Sequence, residues 1–170
     1  MNPENPDERK LRMIDLRWHD RAFDELTVTE LHAILALRER VFVVESACAY
    51  QEIDGLDPVS RHIWAESAGA IHAYLRIVPG GAKYDEPSLG RIVTAPEARG
   101  TGLGRVLVRR GIAALGDVEV ATLPHTALDV AIRIGAQAHL EKFYNELGFV
   151  RASEPYDEDG ILHVEMLRCI

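Results

Sequence analysis

Apolar positions along the chain recur at two spacings. Leu31, Ile34, Leu35, Leu37, Val41 and Phe42 fall three and four residues apart and predict an amphipathic helix of about four turns. Thr27-Val28-Thr29-Glu30 stands just before it as a capping box, with the carboxylate three residues after the threonine. A second helical pattern runs from Gln137 to Leu147, with Leu140, Phe143, Tyr144 and Leu147 on one face and Gly148 as its C-cap. Elsewhere the runs are short and rich in β-branched residues. Met13–Trp18, His62–Glu66, Ile71–Val78, Leu89–Val93, Leu128–Ile134, Phe149–Ala152 and Ile161–Arg168 read as strands. Ser67-Ala68-Gly69-Ala70 joins two of them as a hairpin turn, and Gly135 is read as the break that ends Leu128–Ile134. Gly116–Pro124 is an undefined connection. The order β, α, ββ, β, α, β, α, ββ predicts an α/β (α+β) fold: one mixed, mainly antiparallel sheet of about six to seven strands, flanked by helices.

The most informative pattern is a change of period around one loop. Leu89, Ile92 and Val93 make a strand that Pro96 stops; Arg99-Gly100-Thr101-Gly102-Leu103-Gly104 follows, and then apolar residues return at helical spacing from Val106. Glycines let a backbone approach a ligand closely, and a helix start offers unpaired N–H groups and the positive end of a dipole. Arg99 to Gly104 therefore suit a diphosphate held by backbone amides. A glycine-rich turn that only starts a helix is the plain alternative. The turn is not a P-loop, which needs Lys-Ser or Lys-Thr where Arg105-Val106 stand. Nor does its position past the middle of the chain suit a dinucleotide fold.

With 170 residues the chain has room for one core, read as a single domain over 13–170 behind a flexible tail over 1–12. A net charge of −8 argues against a nucleic-acid or anionic-membrane surface and is compatible with a cationic partner. The polar, proline-broken start lacks the apolar stretch of a signal peptide, and no segment is long enough to span a membrane, so the expected location is the cytoplasm. Cys48 and Cys169 are then free thiols. His32, His62, His72, His125, His139 and His163 are scattered singly, and no metal site is expected.

Taken together, the strand-R-G-T-G-L-G-helix and Phe143-Tyr144-Asn145-Glu146-Leu147-Gly148-Phe149 resemble the two motifs of the GNAT N-acetyltransferases. Leu37–Glu45, Cys48–Gly55, Gly135–Leu140 and Tyr156–His163 resemble the ElaA-like branch more closely. The likeness spans the chain from about Met13 onward. It implies a GNAT-like sheet and an N-acetyltransferase that uses acetyl-CoA and releases coenzyme A. It also implies site residues. Ile92 and Val93 would line the pantetheine arm, Arg99, Gly100, Thr101, Gly102, Leu103 and Gly104 would hold the pyrophosphate, and Arg105 would add charge. Gln137 stands where relatives place an asparagine that bonds the arm. Tyr144 matches the general-acid tyrosine.

The chemistry asks for little more. An ordinary lysine-type ammonium titrates near 10.4, so freeing the amine at pH 7 costs roughly 4.6 kcal/mol, and a base must take the proton. The central strand carries no carboxylate. Glu45, Asp54, His72, Asp129 and His163 are candidates, with none assigned. Tyr144 can protonate the leaving thiolate, or only pack a helix face. Two acidic loops, Glu52, Asp54 and Asp57 with Tyr50, and Asp157, Glu158 and Asp159 with Tyr156, predict a mouth that attracts a small cationic or peptide amine. Tyr50, Asp54, Asp57 and Tyr156 are its candidate substrate residues. A homodimer is compatible with all of this. A non-catalytic acyl-CoA-binding or sensor module would use the same cradle without Tyr144, and an interaction domain with a decayed site would bind no coenzyme.

Overall fold

The computed structural model describes residues 15–119 and 131–169. Among them, β1 (Arg17–Ala22), β2 (Arg61–Ser67), β3 (Ala70–Val78), β4 (Ser88–Thr94), β5 (Ala131–Gln137), β6 (Val150–Arg151), β7 (Tyr156–Glu158) and β8 (Ile161–Cys169) form one sheet in the order β1-β2-β3-β4-β5-β8-β6, with β7 on β8. Three helices lie against it: α1 (Val28–Arg38), α2 (Leu103–Glu119) and the short α3 (Glu141–Asn145). Every pairing is antiparallel except β4 with β5.

Local chemistry explains much of this. The capping box before α1 is made: Thr27 Oγ1 accepts from the Glu30 N–H at 3.2 Å, and Glu30 Oε2 accepts from the Thr27 N–H at 2.9 Å. The helical pattern continues to Phe42 as expected, but the α-helix widens at Arg38 into a π-helical stretch over Glu39–Glu45. The Ser46 N–H reaches back five residues to the Val41 carbonyl, and the Ser46 hydroxyl donates to the same oxygen at 2.9 Å. Between β2 and β3, Ala68 and Gly69 both take positive φ, 49° and 77°, as a two-residue turn that follows the strand twist requires. The core is built on Trp64, Leu75, Leu107, Ile132, Ile134, Phe149 and Met166, all fully buried.

Four expectations need correction. The first strand lies a few residues later than Met13–Trp18, at Arg17–Ala22, where it pairs with β2. Gly135 does not end a strand; it sits inside β5, because a Cβ there would stand 3.3 Å from the hydroxyls of both Tyr84 and Tyr156, so glycine is what lets those phenols lie over the strand. Gln137 closes β5 instead of opening a helix, and the helical residues after it split into a 3-10 turn (Ala138–Leu140) and α3. Finally, Tyr156–Glu158 is a strand and not part of a loop, paired with Ile161–His163 across a tight turn. Residues 128–130 of the expected fifth strand, Asp129 and His125 lie outside the described residues.

Candidate active site

The sheet is open at its centre. β4 and β5 run parallel but share a single paired position, Ser88 with Arg133. Beyond it the two strands diverge, leaving backbone groups of β4 without a strand partner on that side. A bulge in β4 helps to open the gap: Tyr74 pairs with Val93 and Arg76 with Gly90, so Arg91 and Ile92 together oppose Leu75. Arg91 takes a left-handed φ of 52°, a conformation that costs a non-glycine residue about 1–2 kcal/mol.

The gap leads into a cavity of about 760 Å³. Ile92, Val93, Arg99, Gly100, Gly102, Leu103, Gly104, Arg105, Gln137 and Tyr144 all line it, so the residues expected at a coenzyme site are brought together. Thr101 is the exception. Its hydroxyl turns inward to donate to the Ala98 carbonyl at 2.6 Å, which shapes the turn without facing the cavity. Gly102 has φ +85°, and its carbonyl accepts the first helical bonds from Arg105 and Val106. Just ahead of these, the Leu103 N–H turns to the Thr101 hydroxyl at 3.4 Å, while the N–H groups of Gly102 and Gly104 make no hydrogen bond with a described residue, as an anion-binding turn needs. Arg99 is clasped by Glu45 at 2.6 and 2.9 Å and Arg105 by Glu146 at 2.5 Å, all of them well exposed.

Tyr144 is buried between Phe143 and Phe149, each ring edge-on at centroid distances of 5.0 and 6.0 Å. Burial pushes its phenol well above the ordinary value, so the hydroxyl keeps its proton through neutral pH.

The expected acidic mouth is only half present. Tyr50 lines the cavity beneath the Arg91 guanidinium, 5.7 Å from its ring centre, but Asp54, Asp57 and Tyr156 do not line it. Asp54 and Asp57 belong to a closed ring of six alternating charges instead. Arg38 bonds Glu52 at 2.8 Å, Glu52 bonds Arg91 at 2.8 Å, and Arg91 reaches Asp54 at 3.2 Å. Asp54 then bonds Arg76 at 2.6 Å, Arg76 bonds Asp57 at 2.8 Å, and Asp57 returns to Arg38 at 2.8 Å. The three positive and three negative charges cancel, so the first loop offers an acceptor little field. Burial pushes the Asp54 carboxyl up, but bonds from Arg76 and the Leu56 N–H outweigh it and hold Asp54 far below the carboxylate range. Asp57 is lowered in the same way by Arg38 and Arg76. Below the ring, burial lowers the His62 imidazole, which donates from Nε2 to the Asp57 carbonyl and accepts the Tyr74 hydroxyl at 2.7 Å. Tyr156 packs by Tyr84 over Gly135.

Several cavity residues escaped the sequence reading: Tyr84, Lys83, Ser88, Cys48 and His139, along with Arg76 and Arg91. Only the two arginines left a trace, as charges set inside runs otherwise apolar enough to be strands.

A family model for the GNAT acetyltransferase domain matches residues 36–168. The chain is 37% identical to protein ElaA of Escherichia coli over 155 residues, covering 90% of this chain and 96% of that protein. The crystal structure of E. coli ElaA superposes with a TM-score of 0.79 at 35% identity, covering 90% of this chain and 99% of that one. An acyl-CoA N-acyltransferase from Pseudomonas aeruginosa superposes with a TM-score of 0.82 at 39% identity, covering 91% and 100%. At 13% identity, an aminoglycoside 6'-N-acetyltransferase complexed with coenzyme A shares the fold alone, with a TM-score of 0.63 over 89% of this chain and 96% of that one. The chain belongs to the GNAT acetyltransferase family, in its ElaA-like branch. Its chemistry is therefore acyl transfer, and an acyl-CoA is the family's donor. Among the described residues, no helix is long and apolar enough to cross a membrane.

Proposed function

We propose that the protein is a cytoplasmic N-acetyltransferase that moves the acetyl group of acetyl-CoA to a primary amine, with Tyr144 as general acid. One observation carries this: the diphosphate turn, the open edge of β4 and the Tyr144 phenol share a single cavity. The N–H groups of Gly102 and Gly104 and the charges of Arg99 and Arg105 suit the diphosphate. The open edge of β4, with Ile92 and Val93 lining the cavity beside it, suits the amide-bearing pantetheine arm, which would run along it like an added strand, with the Gln137 amide opposite. A β4 backbone N–H that faces away from β3 into the gap would donate to the thioester oxygen as negative charge builds there. The amine attacks the carbonyl carbon, the C–S bond breaks, and the Tyr144 hydroxyl protonates the leaving sulfur. A small or peptide amine would enter past Tyr50 and the Glu158–Asp159 turn. Those two acids are the part of the mouth that still favours a cation.

A thiol titrates near 8.5 and an unperturbed phenol near 10, so Tyr144 protonates the thiolate against a gradient of about 2 kcal/mol before burial adds to it. Its contribution should therefore sit at the low end of the usual range for a general acid. Tyr144→Phe, which keeps both aromatic contacts, should cut turnover about 10²-fold with little change in acetyl-CoA affinity. Thiol release and calorimetry measure the two. Equal turnover would leave Tyr144 as a packing residue.

A further inference from the structure

We propose that His163 is the general base, taking the proton from the acceptor ammonium on Nε2; this rests on the acetyltransferase reading above. His163 lies on β8 directly opposite Gln137 of β5, and opposite Tyr156 of β7 on its other side. Residues directly opposite in antiparallel strands share a face, so His163, Gln137 and, two residues before it, Gly135 form one wall of the cavity.

The tautomer is set by the backbone. His163 Nδ1 lies 2.8 Å from the Ile161 carbonyl, which can only accept, so Nδ1 carries the hydrogen and Nε2 is left with its lone pair. Nε2 makes no hydrogen bond with a described residue, yet it is not among the polar atoms shut off from solvent. With 14% of the side chain exposed, the ring is held in place and its free nitrogen is accessible. That is the arrangement a base needs: an orienting bond on one nitrogen and an open lone pair on the other.

The other candidates suit the role less. Glu45 lines the cavity, but it is an exposed carboxylate held below its ordinary range by Arg99 and is a weak proton acceptor; Asp54 is bound by Arg76 and Arg91, and His72 bonds the Ser67 hydroxyl at 3.0 Å without lining the cavity. Asp129 lies outside the described residues. The groups around His163 can support a transient imidazolium. Glu158 of β7 stands 3.9 Å from Nδ1, and the Tyr156 ring is stacked at 6.1 Å. Glu165, two residues along β8, is occupied by Arg133 of β5. Tyr84, ahead of β4, bonds Tyr156, and Cys48 donates to the Asp159 carbonyl in the turn before β8.

The protons balance. The acceptor nitrogen loses two on going from ammonium to amide. One passes to His163 Nε2 and on to solvent. The other replaces the proton that Tyr144 gives to sulfur.

His163→Asn tests this, because an asparagine amide can still donate to the Ile161 carbonyl but offers no basic nitrogen. The assay pairs acetyl-CoA with the fastest of cadaverine, spermidine, lysine and a peptide with a free N-terminus. kcat/KM for the amine should fall 10²–10⁴-fold, while calorimetry shows acetyl-CoA affinity within about twofold, which also shows that the variant is folded. The acid limb of the wild-type pH profile should vanish, and imidazole in the buffer should restore turnover to His163→Gly. A purely structural histidine would not give that rescue. A His163→Asn enzyme within threefold of wild type, or one that keeps the acid limb, overturns the assignment while acetyl transfer stands. A wild-type protein that binds no acetyl-CoA, or releases no thiol with any of these amines, overturns both.

Discussion

Two groups of arginine–carboxylate pairs border the cavity, and burial makes them different objects. The six-charge ring of Arg38, Glu52, Arg91, Asp54, Arg76 and Asp57 joins the end of α1, the following loop, β3 and the β4 bulge, with Arg38, Arg76, Glu52 and Asp57 all buried. At the glycine-rich turn, Arg99–Glu45, Arg105–Glu146 and Arg40–Glu97 are exposed pairs with ordinary bidentate or single contacts. Both regions look alike on a list of ion pairs. In the ring the four buried charges have lost their water and depend on their neighbours, so the network sets shape: it ties Arg91, at its left-handed φ, to the loop through Glu52 Oε1 and the Glu52 carbonyl. At the turn each charge keeps its water and can exchange its partner for a phosphate. One region holds the gap open; the other is free to answer what enters it.

Breaking the ring should have the largest effect. Asp57→Ala leaves Arg38 and Arg76 facing each other with no carboxylate between them, and it should cost about 3–5 kcal/mol in unfolding free energy, read by denaturant titration. A loss under about 1 kcal/mol would mean that water enters the ring and that it does not differ in kind from the surface pairs. Next is the turn's backbone. Gly102→Val puts a branched side chain at φ +85°, which should cost about 1–2 kcal/mol of stability but lower acetyl-CoA affinity far more, by at least tenfold. Unchanged affinity in the folded variant would remove the amide cradle. The smallest effect belongs to the clasp. Glu45→Gln should leave the unfolding midpoint where it is, and by freeing Arg99 it should tighten coenzyme binding a few-fold at low salt, a gain that fades as salt screens exposed charge. A large loss of stability there would erase the distinction between the two regions.

How far each region could be read from the sequence follows from the range of its interactions. The turn, the α1 cap and the β2–β3 hairpin are settled within about six residues by glycine, threonine and glutamate chemistry, and all three stand where the sequence placed them. Tyr144 and Gln137 were legible as cavity residues only by family resemblance, since nothing in a helical or strand period marks them out. The ring's pairing was not legible, although Arg76 and Arg91 stood out as charges inside apolar runs. Arg76 finds Asp54 and Asp57 22 and 19 residues away, and Arg91 finds Glu52 39 away, so the loop acids read as a solvent-facing patch when their partners were hidden in strands. Gly135 misled for a related reason. A glycine that ends a strand and a glycine that makes room for two phenol rings have the same letter, and only the distant Tyr84 and Tyr156 tell them apart.

The single paired position between β4 and β5 also bears on how the molecule holds together. A continuous ladder would make β1–β4 and β5–β8 one mechanical unit, but here the backbone seam is one rung long, at Ser88 and Arg133. Beyond that rung β4 and β5 share no paired position, so the sheet divides there into two half-sheets. An amide-bearing chain laid in the gap would supply the rungs that β5 does not. The donor would then act as a removable strand as well as a reactant, and the protein would be stiffest across its middle while loaded and loosest there once the spent carrier has left.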